Sequence, residues 1–396
     1  MAAPVPYELT KTDRAAWREM LGTPNREKAA LAAVLAALQM LVIPLSENTT
    51  FLPVYFLLTL GFFYLLTRSL FSLCGVAIPA FFIYSAFGER GIPFAVAFCA
   101  ILFGGALCGY LAMHFHSKPQ HFLLLLIPAA TYGVTFLLTG DPLRGLLTLL
   151  PLPLGVVFAV MLLRCGTFTD TVIAGAAAVA LTLGVTLLLT LAATGKLTSN
   201  ALSLLADGLR EELIVRMTEA RTLYEKAGIS LAMTDVQIAN SAAMWVNLIP
   251  AIFLILCSVI SFCSFRIFLR VTAGFDALPH LPRRVIAMSV SAWAAVLFLV
   301  AFLLSLLVGR DHVSFFGVVL QNLYLVLEPP LVLVGFSALA GRGGARSCLS
   351  LLILAGLVFI FCTNPGTGLT LAAFYGALTI LLTRFFPAAP ADKGGQ

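Results

Sequence analysis

Apolar runs long enough to cross a lipid bilayer recur from residue 29 to residue 383, with little polar sequence between them. A membrane helix needs about 20 apolar residues, within a range of about 17 to 25. Runs near that length fall at about 29–45, 51–66, 70–87, 92–113, 122–138, 143–163 and 171–193, and then at 242–265, 285–308, 313–340, 348–362 and 368–383. Turn chemistry separates them at Ser46–Thr50, Thr67–Ser69, Gly88–Gly91, Ser117–Gln120, Gly140-Asp141-Pro142, Gly341–Gly344 and Asn364-Pro365-Gly366. The pattern predicts an all-α, polytopic transmembrane helix bundle of about twelve spans. The alternative for the last two runs is a re-entrant hairpin. Composition agrees: of 396 residues, 60% are hydrophobic and 11% charged, where an average soluble domain carries about 25% charge. So little charge cannot cover that much apolar surface around one core. A soluble enzyme, a disordered chain and a fibre are excluded.

Charge tests the count independently. With the N-terminus inside, the inner segments hold Lys11, Arg14, Arg18, Arg26, Lys28, Arg68, Lys118, Arg164, Arg266, Arg270, Arg283, Arg284, Arg342, Arg346, Arg384 and Lys393. The short outer loops hold Arg90, Arg144 and Arg310. Sixteen against three is the bias that sets orientation. Lys196, Arg210, Arg216, Arg221 and Lys226 lie in one long outer insert, and long loops cross largely regardless of charge. Both termini are predicted to be cytoplasmic, in a bacterial plasma membrane. Met1–Lys28 is too long, charged and mixed for a secretory signal. The basic residues sit between apolar runs rather than on a soluble face, so nucleic acid is not an expected partner; membrane lipids are.

The domain organisation follows: a cytoplasmic segment 1–28, a bundle 29–193, an extracytoplasmic insert 194–241, a second bundle 242–383 and a cytoplasmic tail 384–396. In the insert, Leu202, Leu205, Leu209, Leu213, Met217, Ala220 and Tyr224 follow steps of three and four from Ser199 to Lys226, one face of a helix. Glu212–Arg216 and Arg221–Glu225 are opposite charges four apart. Four basic residues against five acidic argue against a polybasic lipid-binding helix. The helix either lies on the outer face or caps its own bundle, or it forms a lid or a docking surface. Gly228 is its stop. Thr234-Asp235-Val236-Gln237 is a capping box opening one long helix to about Arg270.

The run Leu223-Tyr224-Glu225-Lys226-Ala227-Gly228-Ile229, the capped helix and Leu248-Ile249-Pro250-Ala251 resemble the junction in the YybS-like family of bacterial membrane proteins, a domain of unknown function. The basic turn with Leu278-Pro279-His280-Leu281-Pro282 and the polar Gln321-Asn322-Leu323-Tyr324 extend the resemblance. This chain departs from that pattern at Glu328-Pro329-Pro330, where the family tends to a Gln-Gly pair, and in having more spans before the insert. The family's N-terminal bundle is in turn similar to the substrate-binding subunits of energy-coupling-factor vitamin transporters. That similarity implies a docking stripe for a membrane coupling subunit at Ala29, Ala33 and Ala37, with Ala32 and Ala36 beside it. Small residues let helix backbones approach in lipid; the alternative is packing within the chain's own bundle.

An ionisable group at bilayer depth is costly and marks a functional candidate. Glu328 lies mid-run, with Gln321, Asn322 and Tyr324 one to two turns before it. Pro329 and Pro330 remove two backbone donors and free carbonyls a turn earlier. A carboxylate in a broken helix is how transporters build midplane sites, so Glu328, Asn322, Gln321 and Tyr324 are the candidate ligand-binding residues. The alternative is a structural Glu328 bonded to a freed carbonyl. Gln39 and Asn247 read as interhelical hydrogen-bonding groups. Asp170 or Thr169 reads as the N-cap of the seventh span. His114, His116 and His121 cluster without an acidic or cysteine partner, and no cysteine pair has zinc spacing. No metal site and no cofactor are expected. No nucleophile elbow, metalloprotease helix or Walker loop occurs, and an enzyme is not expected. The leading function is binding or transport of a small-molecule ligand, either alone or as a subunit. A scaffold recruiting envelope proteins through the insert is the alternative, and an envelope-precursor enzyme the third.

Overall fold

The computed structural model describes residues 26–45, 91–114, 118–141, 145–164, 166–198, 200–228, 233–276, 283–286, 288–307, 315–342 and 363–385, with single positions at 55, 57, 59, 61, 64, 356 and 360. Every regular element among them is helical: α1 (Arg26–Leu45), α2 (Gly91–His114), α3 (Lys118–Thr139), α4 (Pro151–Leu163), α5 (Phe168–Ala193), α6 (Ala201–Lys226), α7 (Asp235–Asp276), α8 (Arg283–Ile286), α9 (Ala292–Leu307), α10 (Phe315–Arg342) and α11 (Pro365–Phe385). Five helices, α2, α5, α7, α10 and α11, contain stretches long and apolar enough to cross a membrane, and three shorter apolar helices accompany them. The described residues therefore hold fewer spans than the twelve expected. Most of the runs 51–66 and 348–362, and all of 70–87, lie outside the described residues. The expected span 143–163 is not one helix either. A 3₁₀ turn at Leu147–Leu149 leads into α4, which starts at Pro151, because proline fits the first helical position and brings no donor to continue an earlier helix.

The chain forms two compact units, Met1–Lys196 with Leu256–Met288, and Leu197–Ile255 with Ser289–Gln396. In the first, α1 packs on α2 and α3, and α4 on α2 and α5. Lipid offers no hydrophobic drive between helices, so close backbone approach and interhelical hydrogen bonds must hold them. Both are present. A Cβ at Gly155 would meet the backbone nitrogen of Gly109 at 2.5 Å and Cys108 at 2.6 Å, so α2 and α4 touch through bare backbone. Ser264 Oγ donates to the Leu102 carbonyl at 2.9 Å, and Ser261 Oγ to that of Val172 at 2.8 Å. Phe158, Phe168, Phe265 and Phe268 are fully buried, with ring centroids 5.2 to 5.9 Å apart. The Arg266 guanidinium lies 4.6 Å from the Phe168 ring centroid, a cation–π contact at the edge of this cluster.

The start of α5 corrects the expected cap. Thr167, not Asp170 or Thr169, is the N-cap: its backbone is extended and its hydroxyl accepts from the Asp170 N–H at 3.1 Å. Asp170 sits in the first turn, where a carboxylate complements the helix dipole. Further along α5, Thr182, Thr186, Thr190 and Thr194 each donate to the carbonyl four residues back at 2.8–2.9 Å. That column satisfies hydroxyls on a helix whose Leu181 is 70% exposed.

In the second unit, α6 starts at Ala201, two residues later than expected, and has the expected end at Lys226 before Gly228, whose φ of 78° is open to glycine without strain. Arg216 pairs with Glu212 at 2.8 Å and Glu219 at 3.1 Å, and the hydrogen bond it donates to Glu212 holds its guanidinium above the usual pKa. Arg221 lies 3.9 Å from Glu225 and reaches more closely across the turn, to Asp235 at 2.8 Å and the Met233 carbonyl at 2.9 Å. The capping box is formed: Gln237 Oε1 accepts from the Thr234 N–H at 2.9 Å, and Thr234 Oγ1 from that of Gln237 at 3.3 Å. α7 then runs for 42 residues without interruption, about 63 Å at 1.5 Å per residue. Losing this cap costs about 1 kcal/mol. Thr234→Ala should therefore speed hydrogen exchange of the first-turn amides of α7 by about fivefold, with α10 and α11 unchanged.

α9, α10 and α11 pack on one another around Ala295, Phe298, Leu331, Val332, Ala372, Ala373 and Ala377. A Cβ at Gly335 would strike the Ala372 carbonyl, and one at Gly376 the Leu331 carbonyl. These two glycines bring α10 and α11 into backbone contact, and that contact sets up the site.

Candidate functional site

α10 continues through Pro329 and Pro330, so the broken helix expected there is not formed. The flanking helices hold it, as bundles do for membrane prolines. Tyr324 and Glu328 are four residues apart and share a face. Tyr324 Oη donates to Glu328 Oε1 at 3.2 Å. The third member comes from α11: Thr370 Oγ1 donates to the same Oε1 at 2.8 Å and lies 2.6 Å from Tyr324 Oη. Glu328 is thus bonded to two hydroxyls and not to a carbonyl freed by the prolines.

An aromatic wall flanks the Tyr324 corner of this triangle. The Phe298 ring stacks on Tyr324 at 5.3 Å and 19°, and Phe302 lies 5.7 Å from it. Phe374 meets Phe302 edge-on at 4.6 Å and Phe298 at 5.5 Å. Tyr324 and Glu328 are half-buried, as is Thr370. Among the described residues, Glu328 has no ion-pair partner, and the two hydroxyls are its hydrogen-bond partners. Such a group can hydrogen-bond a polar ligand or hold a small cation.

Asn322 does different work. Pro250 lies inside α7 and disturbs the hydrogen-bond ladder around it. The Asn322 carboxamide inserts there. Its Oδ1 accepts from the Ala251 N–H at 3.0 Å and its Nδ2 donates to the Asn247 carbonyl at 2.9 Å. Those are the two groups that a regular helix would join to each other. The second Nδ2 hydrogen goes to the Val318 carbonyl of α10 at 2.9 Å. Asn322 is therefore fully engaged in bridging α7 and α10. Gln321 is half-buried two turns before Glu328. Asn247 joins the bridge through its backbone, and Gln39 accepts from the Tyr55 hydroxyl, so both polar positions meet other segments.

The alanine stripe on α1 is placed against the first unit's own core. Ala32 and Ala36 are fully buried there, while Ala29, Ala33 and Ala37 are half-buried at the margin. His114 packs edge-on against Tyr110 at 4.6 Å, and His116 lies outside the described residues.

Sequence reasoning missed Thr370 and the three phenylalanines. Thr370 sits 42 residues beyond Glu328, in a helix with threonines at 367, 379 and 383 as well. A threonine in an apolar helix ordinarily bonds its own backbone, as Thr383 does to the Thr379 carbonyl. Nothing along the chain marks Thr370 as the one that turns across.

No curated protein and no solved structure matches this chain. A family of predicted membrane proteins, DUF2232, matches residues 112–341. That stretch runs from the end of α2 through α10 and includes the insert, the bridge at Pro250 and the Tyr324–Glu328 pair. With more than half of its length matched, the chain belongs to the DUF2232 family of membrane proteins.

Proposed function

We propose that this protein binds a small polar molecule beside Glu328, Tyr324 and Thr370 and moves it across a bacterial plasma membrane, through about twelve spans with both termini in the cytoplasm. One observation carries the reading: a carboxyl group bonded to two hydroxyls, beside an aromatic wall, on two predominantly apolar helices. Lipid contact does not account for such a group, and intramembrane carboxyls mark substrate and ion paths. The test is native mass spectrometry of the full chain in lipid, with Glu328→Gln and Glu328→Leu alongside. A bound metabolite in the wild type, its affinity reduced at least about tenfold in Glu328→Gln with unchanged thermal stability, supports the proposal. No retained ligand in the wild type, or equal retention in Glu328→Gln, overturns it.

We extend this proposal to a membrane coupling subunit on the resemblance, read from the sequence alone, to energy-coupling-factor substrate-binding subunits. Docking would use Ala29, Ala33 and Ala37 at the margin, since Ala32 and Ala36 are occupied inside the unit. Co-purification with an energising ATPase, lost in Ala33→Leu, tests it. A second reading has its own observation: the apolar stripe of α6 is open, with Leu202 74% and Tyr224 49% exposed. That favours a scaffold recruiting envelope proteins through the insert. Paired Leu205→Ser and Leu209→Ser changes that abolish capture of one defined envelope partner, while ligand binding persists, would establish it.

A further inference from the structure

We propose that Glu328 holds an exchangeable proton, shared with Tyr324 and Thr370 in a ring of three oxygens. The proposal deepens the reading of this cluster as the working site and rests on it only for its use in transport. Its first ground is charge. α9 carries no ionisable side chain at all. α11 carries Tyr375 and Arg384, and α10 carries Tyr324, Glu328 and the terminal Arg342. Arg384 and Arg342 lie fourteen residues past Thr370 and Glu328 in their helices, about 21 Å along each axis. Asn247–Ile255, the part of α7 next to Asn322, has no ionisable residue. Among the described residues no fixed cation faces Glu328, so neutrality at bilayer depth requires a mobile one, and the smallest is a proton.

The second ground is a count of hydrogens. The three oxygens stand 2.6, 2.8 and 3.2 Å apart and close a triangle. Two hydroxyls bring two hydrogens, enough for two sides. A proton on the Glu328 carboxyl supplies the third, so each oxygen donates once. When the proton leaves, to water or to the ligand, a carboxylate remains. Tyr324 and Thr370 then both donate to Glu328, and the Tyr324–Thr370 side is the one left without a hydrogen. Only hydroxyl hydrogens turn between the two states, so the proton exchanges without rearranging the helices. The carboxyl gains or loses one H⁺, no other bond forms or breaks, and no redox step is involved.

Infrared difference spectroscopy of the full chain in phosphatidylcholine nanodiscs tests this. The expected result is a carboxylic-acid carbonyl band at neutral pH that titrates away at higher pH. It is absent in Glu328→Gln and shifted in Thr370→Val and Tyr324→Phe, each of which deletes one side of the ring. Circular dichroism confirms that the variants remain helical, and Thr370→Val keeps the shape of the side chain. A wild type lacking the band at neutral pH, a band that survives Glu328→Gln, or a frequency indifferent to Thr370→Val would each overturn the proposal. So would a carboxylate band with sodium, rather than a lowered pH, raising thermal stability. A protein that shows the band and binds no metabolite refutes the transport reading alone; one that binds a metabolite without the band refutes the proton alone.

Discussion

Gly376→Leu is expected to prevent α9, α10 and α11 from assembling. The side chain would be driven into the Leu331 carbonyl and toward the Gly335 nitrogen 2.9 Å away, and both are backbone atoms of α10. Overpacking a core against flexible side chains costs about 1–3 kcal/mol. Here the obstacle is a helix, and relief requires the two helices to separate. Separation also takes Thr370 away from Glu328 and Tyr324 and opens the contacts around Phe298. The expected loss is therefore above about 3 kcal/mol, read as failure to yield a monodisperse protein or as loss of protection in α11 by hydrogen exchange. Gly184→Leu is the matched control. Nothing lies within 4 Å of a Cβ at Gly184, and leucine is the better helix former, so stability should hold or rise. Equal tolerance of both substitutions would mean that α10 and α11 do not meet through bare backbone.

The second large effect is expected at Asn322. Asn322→Leu leaves the Ala251 N–H and the Asn247 carbonyl to each other across a ladder that Pro250 has disturbed. An unsatisfied buried polar group costs about 1–3 kcal/mol. Measured interhelical hydrogen bonds in membranes average nearer 0.6 kcal/mol, because the separated helices find other partners. Two groups at risk place the loss at about 1–3 kcal/mol. The distinguishing result is its dependence on proline. Pro250→Ala restores a donor and lets the helix close its own ladder, so Asn322→Leu should cost less in that background than in the wild type. A double-mutant cycle on reversible unfolding in nanodiscs reads the difference directly. Strict additivity would show that the carboxamide does not compensate for the proline.

How much of this was legible in the sequence depends on the range of each interaction. Local chemistry was readable: the α6 stripe, the Gly228 stop, the Thr234–Gln237 cap and the Tyr324–Glu328 spacing all depend on residues within one or two turns. Small shifts of register already defeated it. The cap of α5 fell on Thr167 because the helix begins at Phe168, and Pro151 divided a run that hydropathy reads as continuous. Contacts between distant helices were not readable. Asn322 looked like a ligand-binding group because its partners are backbone atoms more than seventy residues earlier. Thr370 looked like an ordinary helical threonine because the glycine pair that brings α11 against α10 has no signature except two small residues. Ala29, Ala33 and Ala37 illustrate the same gap: spacing shows that a face is small, and only packing shows that Ala32 and Ala36 are already covered.

The Asn322 bridge also sets a mechanical limit. Its two bonds to α7 fix one height on α10 to one height on α7, and a slide of a single residue, about 1.5 Å, would stretch them together. Axial gliding of α10 past Asn247–Ala251 is therefore closed as a mode of motion. The half of α10 beyond Asn322 has more freedom, because Pro329 and Pro330 remove two of the donors that stiffen a helix. Glu328 stands at that division, immediately before the prolines. Bending there would swing its carboxyl relative to Thr370 while Asn322 stays in place, so the pinned N-terminal part of α10 serves as the fulcrum against which the site can open.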